Sequence, residues 1–160
     1  MMIYVSGALK ASSDLLSARA LYENAARVIR LAGHQAYLPH QHTDPQRASR
    51  MSASQVFKRD LAALDRCDGV VVFLREPSLG VGAEIALCAQ SGVPMLGLSE
   101  PADEISRFAT GLLEEAGAQV VTYSDDRDLS CAIERFLLEI KSKAAQPRSR
   151  LGLSAPQQTP

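Results

Sequence analysis

Five short apolar runs, each followed by a stretch of helical periodicity, constrain this chain more than any other feature. They are MIYVS (2–6), QAYL (35–38), GVVVFL (69–74), PMLGLS (94–99) and AQVVTY (118–123). The runs are continuous rather than alternating, as expected of strands covered on both faces, and hence of a parallel sheet. Between them, residues 14–32 carry Leu15, Leu16, Ala20, Ala25, Val28, Ile29 and Leu31 at roughly helical spacing until Gly33 stops the pattern. Residues 52–66 open on SASQ, a capping-box signature from Ser52 to Gln55. Shorter helices are predicted over 82–91 and 106–116, and a last one over 128–143 repeats Leu129, Ile133, Phe136, Leu137 and Ile140 on one face. Successive βα units imply an α/β three-layer sandwich with right-handed crossovers. A flavodoxin- or Rossmann-like five-stranded parallel sheet of order 2-1-3-4-5 is expected. Its switch point falls between strands 1 and 3, and ligands bind beyond their carboxyl ends. Those ends are SGALKAS and REPSLGVGAE.

The sequence has 160 residues, which suits one domain with a proper core. Beyond Lys143 the composition turns to Pro, Ser and Gln, so a catalytic domain over 1–143 and a disordered tail over 144–160 are expected. The net charge of −1 gives no electrostatic footprint for a nucleic-acid polymer or an anionic membrane. No apolar stretch approaches the roughly 20 residues that span a bilayer. The opening MMIYVSGAL lacks the basic start of a signal peptide. Cys67, Cys88 and Cys131 are scattered thiols without paired spacing, which suits a reducing cytoplasm. His40 and His42 lie two apart with no ligand partner at metal spacing, so polar loop histidines and no metal are expected. The polar connection over 41–52 is a candidate lid or binding loop.

The chemistry concentrates at the crevice. Gly80 and Gly82 would let a ligand approach the backbone of the loop after strand 3, and Ser78 adds a hydroxyl donor. A helix starting there offers unpaired N–H groups to a phosphate. Glu84, expected in the first turn of that helix, would be held ionised by the helix dipole, as a nucleophile requires. Asp60 falls on the inward stripe of its helix with Val56, Leu64 and Cys67. Two carboxyl groups at one cleft divide labour, one attacking or staying charged while the other holds or moves a proton. Sugar–base cleavage, with its oxocarbenium-like transition state, suits such a pair.

IYVSGALK, then RDLAALDRCDGVVVFLREPSLGVGAEIALCAQSGVPMLGL, then ISRFATG together resemble the nucleoside 2-deoxyribosyltransferase superfamily. The nearest branch in pattern is that of the 2′-deoxynucleoside 5′-phosphate N-hydrolases, and the resemblance covers residues 2–123. It implies that Glu84 attacks C1′ to give a covalent deoxyribosyl-enzyme, that Asp60 is the acid at the sugar, and that Tyr4 supports the nucleophile. It implies a substrate-binding set of Gly7, Ala8, Leu9 and Lys10 in the first loop, Ser78, Gly80 and Gly82 at the 5′-phosphate, and His40 near the base. Ser106 is implied to reach the phosphate of a neighbouring subunit in a homodimer. No cofactor is implied. The branch usually carries Ser and Arg in the first glycine loop. Here Ala8 lacks the hydroxyl, and Lys10 keeps the charge without the bidentate geometry of a guanidinium.

The reaction expected is hydrolysis of the N-glycosidic bond of a (2′-deoxy)nucleoside 5′-monophosphate. Two alternatives remain open: base exchange on a deoxynucleoside, and a nucleotide-binding module without catalysis. A related branch cleaves ribonucleotides such as cytidine monophosphate, which leaves the 2′ preference open as well. The plain structural alternatives are a packed strand residue for Tyr4, a turn former for Ser78 and a helix cap for Ser106.

Overall fold

The fold is described from a computed structural model covering residues 1–8, 14–43 and 50–143. Strands β1 (Met2–Ser6), β2 (Gln35–Tyr37), β3 (Gly69–Phe73), β4 (Met95–Ser99) and β5 (Gln119–Thr122) form one sheet, ordered β2-β1-β3-β4-β5. Every pairing is parallel, as the continuous apolar runs require. The helices are α1 (Leu15–Leu31), α2 (Pro39–His42), α3 (Ala53–Arg66), α4 (Leu79–Ser91), α5 (Arg107–Glu115) and α6 (Asp126–Lys143). None of the described helices is long and apolar enough to cross a membrane.

Alternation along each strand divides the interior between two layers. Ile3, Val5, Val71, Phe73 and Leu98 pack with Ile29 of α1 and with Leu129 and Ile133 of α6. On the opposite face Tyr4, Val70 and Val72 pack with Leu64 of α3, Ile85 of α4 and Leu113 of α5. The expected three-layer sandwich and strand order are therefore present. The site forms on the second face, at the carboxyl ends of β1 and β3.

Local chemistry sets the helix ends. Asp14 accepts from the Ser17 amide to start α1. Ser52 and Gln55 complete the capping box of α3. Gly92 closes α4 in the left-handed conformation, at φ 65°.

Two differences from the sequence expectation bear on the site. Helix α4 begins at Leu79, because Ser78 caps it by accepting from the Val81 amide. Gly80 and Gly82 thus lie inside the helix rather than in a loop before it, and Glu84 sits in the second turn, not the first. The one-turn helix α2 was not anticipated, since four residues give no periodicity to read. The expected lid falls largely on 44–49 and the expected tail on 144–160; both lie outside the described residues, as do Leu9 and Lys10.

Candidate active site

Strand alternation sends Tyr4 and Ser6 to the same face of β1, and both meet Glu84 of α4. The Tyr4 hydroxyl donates to Glu84 Oε1 at 2.6 Å, and the Ser6 hydroxyl donates to Glu84 Oε2 at 2.5 Å. The carboxyl group is thus fixed by one donor on each oxygen. Removal from water pushes its pKa up, and the charge of Asp60 adds to this, against the two hydrogen bonds. The expectation that the helix dipole holds the carboxylate ionised is corrected in its cause: from the second turn the dipole acts weakly, and the Ser6 and Tyr4 hydrogen bonds are what favour the charged form, against burial. Tyr4 has its pKa driven far up, by burial first and by the Glu84 charge next, so it remains a donor.

Asp60 is half-buried on α3, facing inward as its stripe predicted. Tyr37 donates to its Oδ1 at 3.0 Å, and Thr43 to its Oδ2 at 3.0 Å. Burial raises its pKa, opposed by the Thr43 and Tyr37 hydrogen bonds and by the charges of Arg59 and His42. Tyr37 is pushed up by burial and by Asp60. Register joins the two carboxyl groups: Tyr4 and Tyr37 are partners across β1 and β2, and their rings stack 5.3 Å apart. Glu84, Tyr4, Tyr37 and Asp60 therefore form a continuous array across two strands and two helices on one side of the sheet and the adjoining edge. Ser6, Tyr37 and Thr43 were absent from the residues singled out in the sequence. Ser6 was legible from the period of two after Tyr4; Tyr37 follows from the strand order once Tyr4 is chosen.

The other predicted residues lie around this array in separate places. Ser78, Gly82 and Ser106 line a largely apolar groove of about 500 Å³ between α4 and α5, along a side of α4 that Glu84 does not line. Both serines cap their helices, Ser106 through the Ala109 amide. Gly80 lies in the first turn of α4 beside Ser78. Gly7 is a packing glycine, because a Cβ there would sit 2.3 Å from the Tyr22 ring. Tyr22 donates to the Ala8 carbonyl at 3.1 Å, and Ala8 borders a second cavity of about 180 Å³ with Ser17 and Arg75. Arg75, missed in the sequence, is a cation just beyond β3, paired with Glu100 at 3.5 Å.

His40 is 5% exposed, bonds Glu23 at 2.8 Å and lies against Tyr22, so it packs onto α1 and not onto the carboxyl array. His42, two residues on, projects to the other side of the one-turn helix, where its ring stacks on Tyr37 at 4.7 Å.

Residues 3–141 match the family described as nucleoside 2-deoxyribosyltransferase. A relative from Methanosarcina mazei, named "Putative 2'-deoxynucleoside 5'-phosphate N-hydrolase 1", is 30% identical over 140 residues, covering 84% of this chain and 83% of its own. Among solved structures, the Clostridium botulinum CMP N-glycosidase BcmB superposes with a TM-score of 0.65 at 17% identity, covering 85% of this chain and 99% of that one. A 2-deoxyribosyltransferase from Bacillus psychrosaccharolyticus gives a TM-score of 0.60 at 20% identity, covering 81% and 90%. The two superpositions establish a shared fold.

Proposed function

The chain belongs to the nucleoside 2-deoxyribosyltransferase family, and from that premise we propose that it is an N-glycosidase that hydrolyses (2′-deoxy)nucleoside 5′-monophosphates to free base and (deoxy)ribose 5-phosphate. The observation that carries the reading is the pair of carboxyl groups, Glu84 and Asp60, joined through the stacked Tyr4 and Tyr37 rings. The name of the Methanosarcina mazei relative supports the substrate class.

In this reading an oxygen of ionised Glu84 attacks C1′, the C1′–N bond breaks, and its electron pair leaves with the base. Asp60 manages the proton that the base acquires. Water then attacks C1′ of the glycosyl ester, its proton passes to Asp60 to replace the one given to the base, and the bond from C1′ to the Glu84 oxygen breaks, so that the sugar phosphate departs with both carboxyl groups restored. Tyr4 and Ser6 hold the attacking carboxylate in one orientation and give up part of their hydrogen bonding as its charge is consumed. The Ser78 hydroxyl and the backbone at Gly80, in the first turn of α4, receive the 5′-phosphate. The exposed apolar residues beside the groove, Leu79 at 96% and Phe108 at 83%, support a homodimer in which Ser106 approaches the neighbouring site.

Incubating the purified protein with a panel of ribo- and deoxyribonucleoside monophosphates and following released base tests the reading directly. Glu84→Gln is expected to lose at least a thousandfold in kcat while still binding the nucleotide. Base release unchanged in Glu84→Gln, or absent from every monophosphate with the folded wild type, would overturn it. The family's name gives a second reading, base exchange, which shares the glycosyl-enzyme and differs in what resolves it. Supplying a second free base and analysing for a new nucleoside or nucleotide separates the two.

A further inference from the structure

His42 is a third ring in the array, and no role in the reaction has yet fallen to it. The one-turn helix α2 is anchored from behind: His40 and Gln41 both bond Glu23 Oε1 of α1, at 2.8 and 2.7 Å. That anchorage turns His42 to the opposite side. Its ring stacks on Tyr37, 4.7 Å between centroids with planes 24° apart, and Tyr37 in turn stacks on Tyr4. Arg59 of α3 approaches His42 Nδ1 at 3.5 Å, and the neighbouring Thr43 donates to Asp60. The ring is therefore seated between the Tyr37 face and the α3 residues that adjoin Asp60.

We propose that His42 is a positioning residue of this site, one that fixes the Tyr37–Asp60 hydrogen bond by stacking and sets the pH at which Asp60 exchanges its proton. The proposal rests on the reading above that Asp60 handles a proton in glycosidic cleavage. The stack fixes the plane of Tyr37, and Tyr37 donates to Asp60 at 3.0 Å, so loosening His42 loosens the Asp60 contact. Electrostatics acts in the same place. A positive His42 favours the Asp60 carboxylate, opposing the rise imposed by burial. The charged and titratable groups that bear on this pair come from each packed element: Tyr37 on β2, Arg59 on α3, Tyr4 on β1, and Glu84 on α4 through Tyr4. Arg59 adds a second positive charge that acts on Asp60 in the same direction.

The test is a carboxyl-carbon NMR titration of Asp60 in the full chain, with His42→Phe and His42→Gln beside the wild type. His42→Phe keeps an aromatic face and removes the charge; His42→Gln removes both. The Asp60 midpoint is expected to rise by about half to one pH unit in each, the scale for a half-buried pair partly screened by solvent. In the wild type, the Asp60 carbon should also report a second, smaller inflection coincident with the titration of the His42 ring. This second measurement needs no variant to fold. In turnover of a nucleoside monophosphate, His42→Phe should move the Asp60 limb of the pH–rate profile upward, and His42→Gln should lower kcat roughly tenfold with little change in KM. An Asp60 titration with a single inflection, or an unmoved midpoint in a folded variant, overturns the proposal even if the protein cleaves nucleotides. Coupled titration in a protein that cleaves none of them upholds the coupling and refutes the assigned reaction.

Discussion

At Glu84, burial and hydrogen bonding pull the proton in opposite directions, and their balance predicts how stability varies with pH. Its pKa lies above the ordinary glutamate value in the folded protein. A carboxyl that holds its proton more tightly when folded than when unfolded costs stability as pH rises from the ordinary carboxylate range through its native pKa. Glu84→Gln removes that cost. The difference in Tm, variant minus wild type, should therefore grow as pH rises above the ordinary carboxylate range, measured by a series of thermal melts from acid to neutral pH. A constant difference would mean that Glu84 ionises as easily in the fold as in the free chain, and a shrinking one that it ionises more easily there. Tyr4→Phe separates donor from ring at the same point. It keeps the stack on Tyr37 and removes the bond to Oε1, so it should cost about 1 kcal/mol of stability and move the Glu84 limb of the pH–rate profile upward.

Helix α4 carries two glycines whose backbone does not require them. Neither Gly80 nor Gly82 has a positive φ, and a Cβ at Gly82 would meet no atom within 4 Å. Gly82→Ala should therefore stabilise the protein by about 0.5–1 kcal/mol in denaturant unfolding, through helix propensity alone. If a phosphate lies against this backbone, the same change should raise KM for a monophosphate. Gly7→Ala is the contrast: its Cβ would strike the Tyr22 ring, and it should destabilise by about 1–3 kcal/mol. The two glycines thus look alike in sequence but differ in cause, and this marks the limit of what the sequence conveyed. Strands such as GVVVF declared themselves because both faces are buried, and α3 because its capping box is local. The start of α4 was misplaced because glycines signal turns, whereas here the Ser78 cap decides. At the site, Asp60 was legible from its helical stripe. Thr43 and His42 were not, because their approach to Asp60 and Tyr37 depends on how α2 is pinned to α1 by Glu23, a contact between distant parts of the chain.

Taken whole, the molecule leaves an apolar groove between α4 and α5 with Leu79 and Phe108 standing beside it. A homodimer through this face predicts that Phe108→Asp converts the protein to a monomer in sedimentation velocity while the far-UV spectrum is unchanged, since Phe108 packs little within its own chain. A monomeric wild type, or a dimer indifferent to this substitution, would place the subunit contact elsewhere. The sheet itself has a wider consequence. With all five strands running in one direction, the chain brings the connections that follow them to a single rim. Residues that select a ligand can be exchanged along that rim while the two packed layers beneath it go untouched. A scaffold of this kind separates the inheritance of its shape from the inheritance of its chemistry.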